Sequence, residues 1–185
     1  MDLSQLTPKL KSGDIIFTSI PNVLYQAIEQ ATQSPTSHVG LVLNIKGQWM
    51  VAESRVPLSC YTPLEAFIHR SKNHWFSVKR LPQTLSASEI ATMQQYCEQH
   101  LNEWYGLGFN YDSDKQFCSK FVFDAYRTAL HVDIGQLKTF EQLLTENPNT
   151  PLLFWKLWFL GCIPWHRQTI TPQSMYLDPK LLDVA

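Results

Sequence analysis

Cysteine is scarce in this chain: four residues, Cys60, Cys97, Cys118 and Cys162, among 185, none in a Cys-x-x-Cys pair. So few, so scattered, exclude a disulfide framework and a zinc knuckle, and reduced thiols are expected. An excess of positive charge is also missing, with 15 Lys and Arg against 16 Asp and Glu. Nucleic-acid binding, which needs clustered cations to displace counterions, is therefore not expected. No long apolar run is present. The longest, residues 152–163, is about a dozen residues and contains Lys156, whereas a membrane span needs roughly 20. Met1-Asp2-Leu3-Ser4-Gln5 has neither the basic flank nor the apolar core of a secretory signal, so the expected location is cytoplasmic. Gly106-Leu107-Gly108 lacks the third glycine and the lysine of a phosphate loop, and His69, His74 and Glu65 match no zinc-binding helix. No cofactor and no metal are expected.

What is there reads as one α+β domain over residues 1–185, its core about 10–175. Asp14 to Thr18 suits a short strand, and Val23, Leu24, Ala27, Ile28 and Ala31 recur at helical steps, closed by Pro35. His38–Ile45 and Gln48–Glu53 flank Lys46-Gly47, the spacing of a two-residue hairpin. Pairing outward from that turn sets Leu43 near Met50 and leaves His38 beside Arg55. A two-residue slip, or a diagonal contact, brings Glu53 to His38. Thr62-Pro63-Leu64-Glu65 and Ser86-Ala87-Ser88-Glu89 both read as capping boxes. Behind the second, Ile90, Met93, Cys97, Leu101 and Trp104 keep helical spacing, so Cys97 reads as core. His74 to Leu81 reads as a strand, and residues 105–111 as a glycine-punctuated loop. Ser113 or Asp114 is expected to cap a helix with Phe117, Phe121, Val122, Ala125 and Ala129 on its apolar face. Thr171-Pro172 opens a last capped turn before a loose tail. The aromatic run Phe154 to Trp165 reads first as core packing, second as an interfacial helix or a lid over an apolar pocket.

The chemistry centres on Cys118. A thiolate in the first turn of a helix is stabilised by unpaired N–H groups and the helix dipole, and among the four cysteines only Cys118 has that setting. The same N–H groups suit a developing oxyanion. His38, at a strand start behind a polar segment, is the candidate base. Glu53, on the neighbouring strand, can orient the ring and stabilise its cation. The other histidines, His69, His74, His100, His131 and His166, are expected to face solvent. The residues alone leave open a buried thiol beside a hydrogen-bonded strand histidine.

Four ordered pieces, Leu10 to Phe17, Ser37 to Val42, Val51 to Ser54 and Phe117 to Val122, resemble the circularly permuted papain-like hydrolases of the NlpC superfamily, YiiX/YaeF type. In the permuted order the histidine strand precedes the cysteine helix, as it does here. The resemblance implies an antiparallel sheet packed against helices. It implies Cys118 as nucleophile, His38 as general base and acid, and Glu53 as the orienting residue of a thiol-dependent amidase, peptidase or acyl hydrolase. The position before the nucleophile is often Tyr in that group and is Phe117 here, so an oxyanion hydroxyl would come from elsewhere, Tyr105 or Tyr111. Asp14, in the family's Gly-Asp pair, is either a local turn residue or a substrate contact. The expected substrate is a small peptide, an amide or an acyl lipid, with peripheral membrane contact open. The alternatives are a binding module that keeps the cleft with an inert thiol, and an interfacial protein working through Trp155 and Trp158.

Overall fold

The computed structural model describes residues 3–184. A six-stranded antiparallel sheet runs in the order β4-β3-β2-β1-β5-β8: β1 Asp14–Thr18, β2 His38–Ile45, β3 Gln48–Glu53, β4 Cys60–Pro63, β5 Phe76–Arg80 and β8 Leu182–Asp183. A two-stranded ribbon joins β6 Lys138–Thr139 to β7 Gln168–Thr169. The helices are α1 Leu3–Leu6, α2 Val23–Thr32, α3 Leu64–His69, α4 Ala87–Gln99, α5 Cys118–Leu130, α6 Phe140–Glu146, α7 Leu152–Trp158 and α8 Pro172–Tyr176. None is long and apolar enough to cross a membrane.

Strand alternation sorts the sheet into two faces. Ile15, Phe17, Val39, Leu41, Leu43 and Ala52 join Phe121, Val122 and Ala125 of α5 in the larger core. Ile16, Val42, Val51 and Val78 point the other way, against Leu64, Phe67 and Ile68 of α3 and Leu6 and Leu10. The hairpin forms as read, with positive φ at Lys46 and Gly47 in its turn and Ile45 opposite Gln48, Leu43 opposite Met50. No two-residue slip occurs.

Other expectations are corrected. Thr62 and Pro63 belong to β4, and α3 starts without a side-chain cap; the Thr62 hydroxyl is engaged elsewhere. The Ser86–Glu89 capping box is present in full, but α4 ends at Gln99, so Leu101 and Trp104 lie beyond it and Trp104 is exposed. Neither Ser113 nor Asp114 caps α5. The extended Phe117 is its N-cap residue, and the Ser113 carbonyl instead accepts from the buried Lys120 ammonium. On α2 the buried side chains are Tyr25, Ala27, Ile28 and Thr32, while Val23 is exposed. The tail is not wholly loose, for β8 pairs with β5. The aromatic run is divided rather than core throughout: Trp155 and Ile163 are buried, whereas Leu153, Leu157, Leu160 and Trp165 are exposed.

Gly40, on β2 between His38 and Val42, is where the α3 side of the sheet closes most tightly. A Cβ there would meet Val51 Cγ1 at 2.3 Å, the Ala52 carbonyl at 3.2 Å and the Phe67 ring at 3.3 Å. Overpacking of this kind typically costs about 1–3 kcal/mol. Gly40→Ala is therefore expected to lower the melting temperature by several degrees; an unchanged thermal melt would show that Val51 and Phe67 can both move aside freely.

Candidate active site

His38 and Glu53 lie on the same face of adjacent strands, one diagonal step apart. His38 Nε2 and Glu53 Oε2 are 2.6 Å apart and both residues are buried. An ionised carboxylate only accepts, so Nε2 carries the proton and Nδ1 is the nitrogen left for a reacting partner. As the first residue of β2, His38 also sits between the two cores. Its ring meets Tyr25 edge-on at 5.4 Å on one side and Phe67 at 5.6 Å on the other.

Glu53 is held more fully than the sequence indicated. The Thr62 hydroxyl donates to Oε1 at 2.5 Å, and Arg70 Nη2 donates to Oε1 at 2.7 Å and Oε2 at 2.8 Å. The Arg70 guanidinium in turn lies 5.1 Å over the Phe67 ring, so one aromatic side chain packs against two of the carboxylate's three partners, His38 and Arg70. Burial alone would raise the Glu53 pKa; His38 and Arg70 outweigh it and bring it down to about 2. Burial alone would likewise depress His38, but Cys118 and Glu53 push it up to about 9.

Cys118 is the first residue of α5, where helical N–H groups have no intrahelical acceptor. Burial works against its ionisation, yet His38, the Tyr105 hydroxyl and the Ser119 N–H together bring its pKa below the ordinary thiol value. Glu53 and Cys118 are lowered and His38 is raised, so all three shifts favour the charged form: carboxylate, imidazolium and thiolate. Thiol and imidazole interact strongly enough to move both acidities, although Nδ1 makes no hydrogen bond of full geometry. Such contacts are commonly loose in an empty site and tighten around substrate.

Of the two candidate hydroxyls, Tyr105 donates to Cys118 Sγ at 3.8 Å, whereas Tyr111 donates to Asp124 at 2.9 Å. Tyr105 is positioned by backbone bonds from its own N–H to Pro57 O and from Gly106 N–H to Gln116 O. Burial first, then the adjacent sulfur, raises the pKa of Tyr105 and of Tyr25, so both phenols stay protonated. Asp14 is not part of this cluster. Arg80 grips its carboxylate at 2.8 and 2.7 Å and the Lys11 N–H adds a bond at 2.9 Å, which makes it a brace for the sheet. His69, His74, His131 and His166 are exposed; His100 is half-buried and contacts Glu103 at 2.8 Å.

The Cys118 side chain is nearly closed to bulk water, at 2% exposure, and it forms part of the wall of a cavity of about 60 Å³. Trp155, Phe109, Phe117, Phe140 and Ile170 line that cavity with it. The inward part of the aromatic run thus faces the thiol.

A cysteine at a helix start, a histidine at a strand start and a carboxylate behind it, on an antiparallel sheet with the histidine strand first in the chain, define the papain-like class in permuted order. The chain belongs to the permuted papain-like amidase family of YaeF/YiiX type, C92, whose family model matches residues 9–185. It is similar to the uncharacterised YiiX protein of Escherichia coli (strain K12), at 27% identity over 175 residues, covering 95% of this chain and 86% of YiiX. It also resembles the crystal structure of metalloprotein YiiX from Escherichia coli O157:H7, with a TM-score of 0.89 and 28% identity, covering 96% of this chain and 97% of that one.

Tyr25, Thr62 and Arg70 were not singled out from the sequence as site residues. The β-favouring run from Cys60 to Thr62 was the available signal for Thr62, masked by its likeness to a capping box; nothing local marks Arg70 as the carboxylate's partner.

Proposed function

We propose that the protein is a thiol-dependent hydrolase of amide or ester bonds, with Cys118 as nucleophile, His38 as acid and base, and Glu53 as the residue that orients and charges the imidazole. The observation that carries this is the buried 2.6 Å His38–Glu53 pair set beside a helix-start thiol of lowered pKa. The thiolate adds to the carbonyl carbon, and N–H groups at the start of α5, with the Tyr105 hydroxyl in reach, face the charge that develops on oxygen. The tetrahedral adduct then breaks its bond to the leaving nitrogen or oxygen, which takes the proton of the His38 imidazolium. Water, deprotonated by His38, adds to the thioester; the carboxylic acid leaves and the thiolate–imidazolium pair is restored.

One structural relative is described as a metalloprotein. Among the described residues here, no group of three or more His, Cys, Asp or Glu side chains is placed to hold a metal ion, and both Glu53 oxygens already accept from His38, Thr62 and Arg70. This donor set does not fit a metal.

Iodoacetamide tests the proposal. At pH 6 an ordinary thiol of pKa about 8.5 is less than one per cent ionised, whereas Cys118 is drawn to the thiolate by its neighbours. The wild type should therefore take up one alkyl group rapidly at pH 6, mapped to Cys118 by peptide mass, and Cys118→Ser should not. Equal uptake by the two proteins would leave an inert thiol and a binding module.

A further inference from the structure

We infer that the outer face of α7, with the turn that ends it, docks on an anionic lipid bilayer, Leu153, Leu157 and Leu160 entering the acyl region while Lys156 meets lipid phosphates. Docking here needs no catalytic residue and stands apart from the hydrolase reading. Three observations carry it. First, positions 153, 156, 157 and 160 follow the one-face spacing of a helix. Three are leucines, exposed by 71%, 70% and 92%, and the fourth is a lysine. The aromatic side chains of the same segment turn away from water instead. Trp155 is buried, and Trp158 stacks on Phe154 at 5.5 Å and donates its indole N–H to the Leu107 carbonyl at 2.9 Å. The inward anchors hold the helix in place with its leucines pointing to solvent.

Secondly, Leu160 adopts a left-handed backbone, φ 51°, followed by Gly161 at φ 89°. The first such position after a helix usually falls to glycine or asparagine, and a bulky residue there is an outlier of the kind that clusters at functional sites. Bonds from the Leu160 N–H to Leu157 O at 3.2 Å and from the Gly161 N–H to Lys156 O at 2.6 Å fix the turn. Leu160 thus stands clear of the surface, the most exposed large hydrophobic side chain among the described residues. A projecting leucine suits a fluid bilayer, which closes around it, better than a flat protein face, which would need a matching pocket. Thirdly, charge selects the lipid. No Asp or Glu occurs between Glu146 and Asp178, whereas Lys156, His166 and Arg167 do. Glu141 of α6 reaches this side, against His166 at 3.6 Å. Among the described residues none pairs with the Lys156 ammonium, so it can extend from the level of the leucines to headgroup phosphates, as lysines at membrane interfaces do.

The experiment is co-sedimentation of the full chain with vesicles of phosphatidylcholine alone and of phosphatidylcholine mixed with an equal share of phosphatidylglycerol. Binding to both is expected, about fivefold tighter to the anionic vesicles, with the difference shrinking in high salt. Leu157→Ser should weaken binding to both by about tenfold. Lys156→Gln should lose about fivefold on the anionic vesicles alone, and Lys156→Arg should keep wild-type binding. Both positions are exposed, so the melting temperatures of these variants should match that of the wild type, which separates lost docking from lost folding. Binding to neither vesicle overturns the proposal, and so does binding that Leu157→Ser leaves unchanged. Equal binding to the two vesicles overturns the anionic surface. A dimer in sedimentation velocity that Leu153→Ser with Leu157→Ser dissolves, in the absence of vesicle binding, also overturns the bilayer and makes this face an interface between copies of the chain.

Discussion

Replacing Cys118 with Ala is expected to lower kcat on any accepted amide or ester by about 10⁴-fold or more, the range seen when the nucleophile of a cooperating set is removed. The fold should survive. The side chain forms part of a cavity wall, and loss of one sulfur there should cost about 1 kcal/mol, which in a chain of 185 residues is about 2–4 °C of melting temperature. Cys118→Ser is the sharper variant, because it keeps a nucleophilic oxygen at nearly the same place. A hydroxyl cannot be ionised by a neighbouring imidazole in the ground state as a thiol can, so this variant should also fall by several orders of magnitude. Turnover within tenfold of wild type in either variant would show that the sulfur is not the attacking atom.

Glu53→Ala is expected to be the most destabilising single change at the site. It leaves Arg70 and His38 without the carboxylate that both contact in a buried position. Breaking a buried ion pair by removing one partner typically costs 3–5 kcal/mol. Arg70 retains 30% side-chain exposure and can turn to water, so about 3 kcal/mol, or about 6–12 °C of melting temperature, is the expected loss. Glu53→Gln keeps the volume and an acceptor for Thr62 but removes the charge that stabilises the imidazolium. A fall in kcat of the order of 10²- to 10⁴-fold is expected, as when the orienting carboxylate of a comparable triad is neutralised.

The pH dependence follows from the signs of the shifts. Glu53 is lowered from 4.5 to about 2, so its contribution to stability is complete above about 4.5 and is lost as pH falls toward 2. His38 is raised from 6.5 to about 9, so its contribution is complete below about 6.5 and is lost as pH rises through 9. The stability gap between wild type and Glu53→Gln should be widest between those limits and shrink on both sides. A gap that is constant from pH 3 to pH 10 in denaturant titrations would mean that no charged pair exists.

How much of this was legible beforehand differs from residue to residue. His38 and Glu53 could be placed together because both lie on one hairpin whose turn is two residues long, and a hairpin's register is a local property. The diagonal contact needed no slip, since the register that pairs Leu41 with Ala52 puts Glu53 level with Gly40, two positions along β2 from His38. Cys118 could be placed at a helix start because the apolar period begins there, although the expected caps Ser113 and Asp114 were wrong: the chain approaches α5 in an extended conformation, and Lys120 holds the Ser113 carbonyl. Thr62 shows the opposite failure. Its spacing to Pro63 and Glu65 satisfies a helix-capping pattern, but pairing with β3 draws it into a strand, where its hydroxyl finds Glu53. Tertiary pairing won over a local preference of about 1 kcal/mol.

The amino-acid sequence by itself determined the alternation that builds the sheet, the hairpin register, the helical periods and the presence of a thiol where a helix dipole favours its anion. These are near-neighbour effects, written in residues close along the chain. The tertiary structure alone decided that Arg70 and Thr62 hold the carboxylate, that Tyr25 packs on His38 and Tyr105 on Cys118, and that Trp155 turns inward to an uncharged cavity while Leu153 and Leu157 turn out. Those contacts join side chains on different elements of the fold, Glu53 of β3 with Thr62 of β4 and with Arg70 just past α3, and they arise only when the two faces of one sheet are covered by helices at the same time.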